Sequence, residues 1–302
     1  MNLNQQALEL LEGNRYDEAL ILFKQAVEMK KDVQSLTNLA WIYSYEEEDD
    51  MSATELLIEA IDLNGTSHFP YNLLGEIYTK LEKWDDAKTV LQQAISIYPT
   101  KMAYYNLAVA HYHTGNVEEA ARNYLLSAHP SDFSMTSHVK CLIELGKEVE
   151  AKIKLGAFLE KDDHFVGEIE IADLYIELQC YEEAKHWFEK GYDHYCKTPY
   201  IIRRYIYVLY HLDDFQRMIE VVEEAIKKRI EEIKDAHEED CDENWNEDDK
   251  KEHIEKLDNE KIEFENMIDQ IEGGSIPPIE FQTTIQTDCY LFGCKLHNHP
   301  EY

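Results

Sequence analysis

Cys289, Cys294, His297 and His299 fall within eleven residues near the C-terminus. Two thiols and two imidazoles are the soft ligand set of a structural zinc site. The spacing C-x4-C-x2-H-x-H is not a common zinc pattern, so buried thiols and exposed histidines are the expectation and no metal ligand is assigned. A second candidate is the stretch DCDENWNEDD, residues 240–249. Asp240, Asp242, Asn244, Asn246 and Asp248 keep the alternate spacing of a calcium loop, whose carboxylate and amide oxygens suit a hard cation. Trp245 stands where that loop needs glycine, and Lys251 where it needs a bidentate glutamate, so calcium is not expected either. There is no phosphate-cradling glycine loop, no H-E-x-x-H, no G-x-S-x-G and no dinucleotide-binding glycine pattern. No pair of carboxylates is singled out for acid–base work. No catalytic residue and no cofactor are assigned, and a non-enzymatic protein is expected.

The elements that carry these residues are set by the rest of the chain. Of its 302 residues, 62 are Asp or Glu and 29 are Lys or Arg, a net charge of -33. Such a charge repels nucleic acid phosphates and anionic membrane surfaces, and favours fast association with basic partners. The hydrophobic share of 44% is enough to build a core. No apolar run approaches the ~20 residues that span a bilayer. The first residues, MNLNQQALELLEGNRY, lack the charged and apolar regions of a signal peptide, and six irregularly spaced cysteines do not suggest a disulfide framework. A reducing cytoplasm is the expected setting.

The stretch FPYNLLGEIYTKLEKWDDAKTVLQQAISIYP, residues 69–99, carries a repeat. Leu74, Gly75 and Tyr78 sit at helical spacing. A polar turn follows, then a second stripe of Ala87, Leu91 and Ala94, and Pro99 ends it. The same pattern recurs on both sides. Ala19, Phe23 and Ala26 precede it, as do Leu39, Ala40 and Tyr43 with Ala53, Leu57 and Ala60. After it come Leu107 and Ala108 with Ala120 and Tyr124, then Val139 and Leu142 with Ala151 and Leu155. Ile171, Ala172 and Tyr175 pair with Ala184 and Phe188, and Tyr205, Ile206 and Leu209 with Met218, Val222 and Ala225. Small residues let helices approach and large ones fill the space between them. Pro70, Pro99, Pro130 and Pro199 all fall at hairpin boundaries.

This pattern resembles the tetratricopeptide repeat, a helix–turn–helix unit of about 34 residues. The resemblance covers residues 1–228 and implies an all-α fold, a right-handed superhelical array of about seven helical hairpins. It also implies a concave face, lined by each pair's first helix, where partner segments lie. The partner-binding residues it suggests are Trp41, Tyr45, Glu76, Tyr105, Tyr112, Asp173, Glu177, Tyr207 and Tyr210, with Asn38 and Asn72 also on that face. Aromatics and carboxylates there would suit a basic protein or peptide. The family's clamp for a C-terminal carboxylate cannot be assembled. Asn38 and Asn106 are present, but Gln34, Thr37, Met102 and Tyr105 occupy the positions that need lysine.

Beyond the repeats, residues 229–272 hold 19 Asp/Glu against 6 Lys/Arg, and two long helical patterns suggest an acidic hairpin capping the array. Trp245 at its tip is a candidate partner anchor. Residues 273–302 read as an extended or β-hairpin tail, because Ile279, Phe281, Thr283 and Ile285 alternate with polar neighbours. A tail laid in the concave groove and blocking it is a further arrangement that the residues alone do not support. The function expected is protein–protein interaction with a basic partner. An immunity protein that neutralises a basic toxin such as a nuclease is its sharper form. The alternatives are a peptide-responsive regulator or scaffold, and an enzyme with a metal site in the Cys/His tail.

Overall fold

The computed structural model describes residues 2–63, 65–241 and 245–300. Among the described residues there are fifteen helices and no strand. They follow one another as α1 (Leu3–Glu12), α2 (Tyr16–Met29), α3 (Val33–Tyr45), α4 (Asp50–Asp62), α5 (Phe69–Lys80), α6 (Trp84–Ile97), α7 (Lys101–His113), α8 (Val117–Ser127) and α9 (Phe133–Glu144). Then come α10 (Glu148–Leu155), α11 (Glu168–Glu177), α12 (Tyr181–Gly191), α13 (Pro199–His211), α14 (Phe215–Glu238) and α15 (Glu247–Glu272). The chain divides into two compact units. Unit 1 comprises Met1–Leu145 and Gln282–Tyr302, and unit 2 comprises Gly146–Phe281.

The first fourteen helices are the seven expected pairs, and their second-helix stripes are all buried. These are Ala19, Phe23 and Ala26; Ala53, Leu57 and Ala60; Ala87, Leu91 and Ala94; Ala120 and Tyr124; Ala151 and Leu155; Ala184 and Phe188; and Met218, Val222 and Ala225. Close approach is real at Gly75, where a Cβ would lie 2.4 Å from Leu91 Cδ2. The turns share one device, a left-handed residue just past the first helix: Asn14, Glu48, Glu82, Gly115, Gly146, Gln179 and Asp213. That conformation lets the next amide reach back to a free helix carbonyl. Arg15 N–H donates to Leu10 O at 2.9 Å, Lys83 N–H to Tyr78 O at 2.8 Å, and Cys180 N–H to Tyr175 O at 2.9 Å.

Within unit 2, α14 runs unbroken through residue 228, so the acidic hairpin is the lengthened end of the last pair rather than a separate element. α15 returns antiparallel to α14. Lys250 donates to the carbonyls of His237 at 3.0 Å and Glu239 at 2.6 Å, and Arg229 pairs with Glu260 at 2.8 Å. Of the expected calcium positions, Asp242 and Asn244 lie outside the described residues. Asn246 has another role: it caps α15, its side chain accepting from Asp248 and Asp249 N–H while the Asp249 carboxylate accepts from Asn246 N–H.

The tail differs from the β-hairpin alternative. Residues 282–300 form no strand; the backbone groups of Gln286 and Phe292 pair with asparagine side chains of helices rather than with a second extended segment.

Candidate functional site

The first helices of unit 1 carry a row of asparagines at one period. Asn38, Asn72 and Asn106 are 34 residues apart, each at the same place in its repeat, and each is at most 1% exposed. A carboxamide offers a donor and an acceptor side by side, which matches the N–H and C=O of one extended residue. Two of the three are used that way. Asn38 Nδ2 donates to Phe292 O at 3.1 Å and Asn38 Oδ1 accepts from Phe292 N–H at 2.8 Å. Asn106 Nδ2 donates to Gln286 O at 2.8 Å and Asn106 Oδ1 accepts from Gln286 N–H at 3.1 Å. The middle rung is different. Asn72 Nδ2 bonds His68 Nδ1 at 3.1 Å, and Asn72 Oδ1 has no partner among the described residues.

The tail therefore lies across the first helices of unit 1, running from α7 towards α1. Thr283 bonds His113 at 2.6 Å at one end, and Lys295 pairs with Glu9 at 3.2 Å at the other. Between them the side chains fill the groove. Phe292 packs 4.8 Å from Phe69, ring to ring, and Tyr290 lies edge-on to Phe69 at 5.8 Å. Leu291 and Cys294 join the core of α1–α4, and Tyr290 and Phe292 the core of α3–α5. Fully burying a side chain of the size of Phe292 stabilises by roughly 1.5–3 kcal/mol.

Glu76 lies under this tail, 4% exposed. Its two oxygens accept from Tyr45 Oη at 2.7 Å and from Tyr290 Oη at 2.6 Å. Burial pushes its carboxyl up to about 8, and nearby Asp288 pushes the same way. The two tyrosine hydroxyls pull it down by less. Desolvation and the Glu76 charge in turn hold the Tyr45 and Tyr290 hydroxyls protonated.

The residues expected to meet a partner separate into groups. Tyr45 and Glu76 meet the tail through one hydrogen-bond chain, and Trp41 stacks on Tyr45 at 4.8 Å. Tyr105 is fully buried, its ring edge-on to Tyr124 of α8 and its hydroxyl beside Thr284 of the tail and Ser137 of α9. Tyr112 donates to Glu144 at 2.6 Å. In unit 2, Asp173 is tied to Arg204, which is 3% exposed and stacks 3.9 Å over Tyr200. Glu177 is half-buried on the same helix as Asp173. Tyr207 packs against His211 at 4.2 Å and Tyr210 edge-on to Phe215 at 6.1 Å. Trp245 is half-buried 5.6 Å from His253.

The tail laid in the groove, named from the sequence without support, is found here; the residues that make its contacts, Gln286, Tyr290 and Phe292, were not singled out. The 34-residue asparagine period was the signal for the receptor side. The chain's own tail occupies the groove. Its inner wall reads backbone and aromatic rings, and the segment it holds, QTTIQTDCYLF, carries no cation. Negative charge is denser in unit 2, where 38 Asp/Glu stand against 18 Lys/Arg, than in unit 1, where 24 stand against 11. Among the described residues no helix is long and apolar enough to cross a membrane.

Residues 72–133 match the family model of the tetratricopeptide repeat. A comparison with curated proteins finds no match. Among solved structures, PilW, described as a widely conserved type IV pilus biogenesis factor, is 18% identical. It matches over 65% of this chain and 94% of that one with a TM-score of 0.51, which shows a common fold. MamA is 17% identical over 65% of this chain and 98% of that one, with a TM-score of 0.45. A tetratricopeptide repeat protein from Parabacteroides merdae is 16% identical over 67% and 81%, with a TM-score of 0.43.

Proposed function

We propose that the chain, whose residues 72–133 match the tetratricopeptide repeat, is a non-enzymatic protein-interaction module whose unit 1 groove receives an extended segment. Its own tail holds that groove in the absence of a partner. The observation that carries this reading is the pair of asparagine clamps, each closing on both backbone groups of one tail residue. Backbone clamps select an extended conformation and leave sequence choice to the pockets between them. A partner segment with two aromatic side chains spaced like Tyr290 and Phe292 would satisfy the same contacts.

The partner we propose is a basic protein. The support is the charge of -33, which steers cations towards the chain, and its excess in unit 2. A basic toxin such as a nuclease belongs to that class and is supported by the charge alone. The six cysteines are all free, which fits the cytoplasm as the setting.

The test is capture of proteins from the native source by the full chain and by its Tyr290→Ala/Phe292→Ala variant, followed by mass spectrometry. Loosening the tail without altering the groove is expected to raise the yield of basic partners severalfold. Equal yields from the two proteins would remove the groove from the reading. Recovery of only acidic proteins or nucleic acid would remove the basic partner.

A further inference from the structure

Beyond the groove the tail folds back on itself. Gly293 takes a φ of +83°, and three backbone bonds close residues 291–300 into a loop. Cys294 N–H donates to Leu291 O at 3.3 Å, His299 N–H to Cys294 O at 3.0 Å, and Gly293 N–H to Pro300 O at 3.0 Å. Leu291, Phe292 and Cys294 hold the loop in the core of unit 1.

This loop and Cys289 just before it gather four soft ligands. Cys289 Sγ and one ring nitrogen each from His297 and His299 lie within 4.8 Å of one another. Cys294 Sγ adds a fourth, 3.3 Å from His297 Nδ1. In a tetrahedral zinc site, with Zn–S near 2.3 Å and Zn–N near 2.0 Å, ligand atoms are separated by about 3.3–3.8 Å. The Cys294–His297 edge has that length, and the edges among Cys289, His297 and His299, none longer than 4.8 Å, need to close by about 1.0–1.5 Å at most.

The ring of His299 is also set for the role. Its Nδ1 is 3.0 Å from Leu291 O. A carbonyl only accepts, so Nδ1 carries the proton and the Nε2 lone pair is left for a metal. This is the outer bond that orients metal-ligating histidines.

We propose that Cys289, Cys294, His297 and His299 bind one zinc ion and that the ion fastens the tail to unit 1. Two thiolates with two imidazoles select zinc over magnesium or calcium, which prefer oxygen. On binding, the two thiol protons pass to solvent, the two thiolates neutralise the ion, and nothing is oxidised or reduced. The ion binds only the arrangement in which the loop is closed, so it stabilises the docked tail by mass action. The site stands on its own ligands and does not depend on the groove having a partner.

The test uses the full chain, prepared under reducing conditions with zinc supplied and then dialysed. About one zinc per chain is expected by elemental analysis. Cobalt loading is expected to give thiolate-to-metal charge transfer and tetrahedral d–d bands. Cys289→Ser and His299→Ala should each weaken zinc binding at least tenfold, while Cys196→Ser, at an exposed thiol of unit 2, should leave it unchanged. Zinc should also slow amide exchange at residues 289–300. Should Cys289→Ser fail to fold, His297→Gln at an exposed position gives the same reading. Absence of stoichiometric metal under these conditions overturns the proposal. So does equal affinity in wild type and ligand variants, or a Cys289–Cys294 disulfide in the protein as isolated.

Discussion

The two units share a repeat and are held together by different forces. The six arginines divide along that line. In unit 1, Arg122 pairs with Glu119 in its own helix, and Arg15, at the start of α2, pairs with Glu18 in the first turn. In unit 2 all four arginines join two helices: Arg203 (α13) to Glu263 (α15), Arg204 (α13) to Asp173 (α11), Arg217 (α14) to Glu189 (α12) and Arg229 (α14) to Glu260 (α15). Unit 1 instead closes its inner face with neutral amides and a buried carboxyl whose pKa is raised towards neutrality. The difference teaches where each can change. A groove sealed by neutral hydrogen bonds and aromatic rings can exchange its occupant for another extended segment. A face crossed by ion pairs would leave a charge stranded if one partner moved.

The largest effect is expected where that stranding is most complete. Arg204→Ala removes the buried cation beside the half-buried Asp173 carboxylate and should destabilise unit 2 by about 3–5 kcal/mol in urea unfolding. Adding Asp173→Asn should recover more than half of the loss. A cost below about 1 kcal/mol for the single variant would break the ionic description of unit 2.

In unit 1 the corresponding test is the asparagine row. Asn38→Ala and Asn106→Ala each strip two backbone groups of their partners and should weaken tail docking by about 2–3 kcal/mol. Amide exchange at residues 284–294 should then quicken roughly 30- to 150-fold, at about 1.4 kcal/mol per decade. Asn72→Ala should cost markedly less, since its oxygen has no partner to lose among the described residues. Equal costs at all three rungs would mean that the row supports the helices rather than reads the tail.

A smaller effect separates the units by pH. Burial pushes the Glu76 carboxyl up to about 8 in the folded chain from its ordinary 4.5, so the folded state holds a proton that the unfolded state gives up. Its contribution is therefore complete below about pH 4.5 and is lost as pH rises to about 8. Tail protection should fall over that range in the wild type and stay flat in Glu76→Gln. A rise in protection with pH would reverse the assignment of the proton.

Much of the fold was legible because packing imposes a period. The stripes from Ala19 to Ala225 and the boundary prolines are local rules repeated seven times. The site was half legible. Asn38, Tyr45 and Glu76 could be placed on the inner face from the helical register alone. A tail in the groove was named, but not its contacts, because a segment some 180–254 residues away carries no local pattern that names its receptor. Tyr105 lies between the two cases. Register put it at the edge of the inner face, and only the fold shows that α8 covers its ring while its hydroxyl sits beside Thr284 of the tail. The ionic character of unit 2 was hidden in the charge count, where Arg204 looks like any surface cation until the helix it faces is known.

The smallest expected effect tests what the two units have in common. Glu82 in unit 1 and Gln179 in unit 2 both hold φ near +55° at the same point of the turn, where other repeats have Gly115 and Gly146. A left-handed conformation costs a non-glycine residue roughly 1–2 kcal/mol. Glycine there relieves that strain but loses about 0.4–1 kcal/mol through the freedom of its unfolded chain. Glu82→Gly and Gln179→Gly should each stabilise by about 0.5 kcal/mol in urea unfolding, the balance of these two effects. Similar gains would mark the turn as a module indifferent to whether its unit is held by amides or by ions. A gain in one unit and a loss in the other would show that the two kinds of packing reach into the turns themselves.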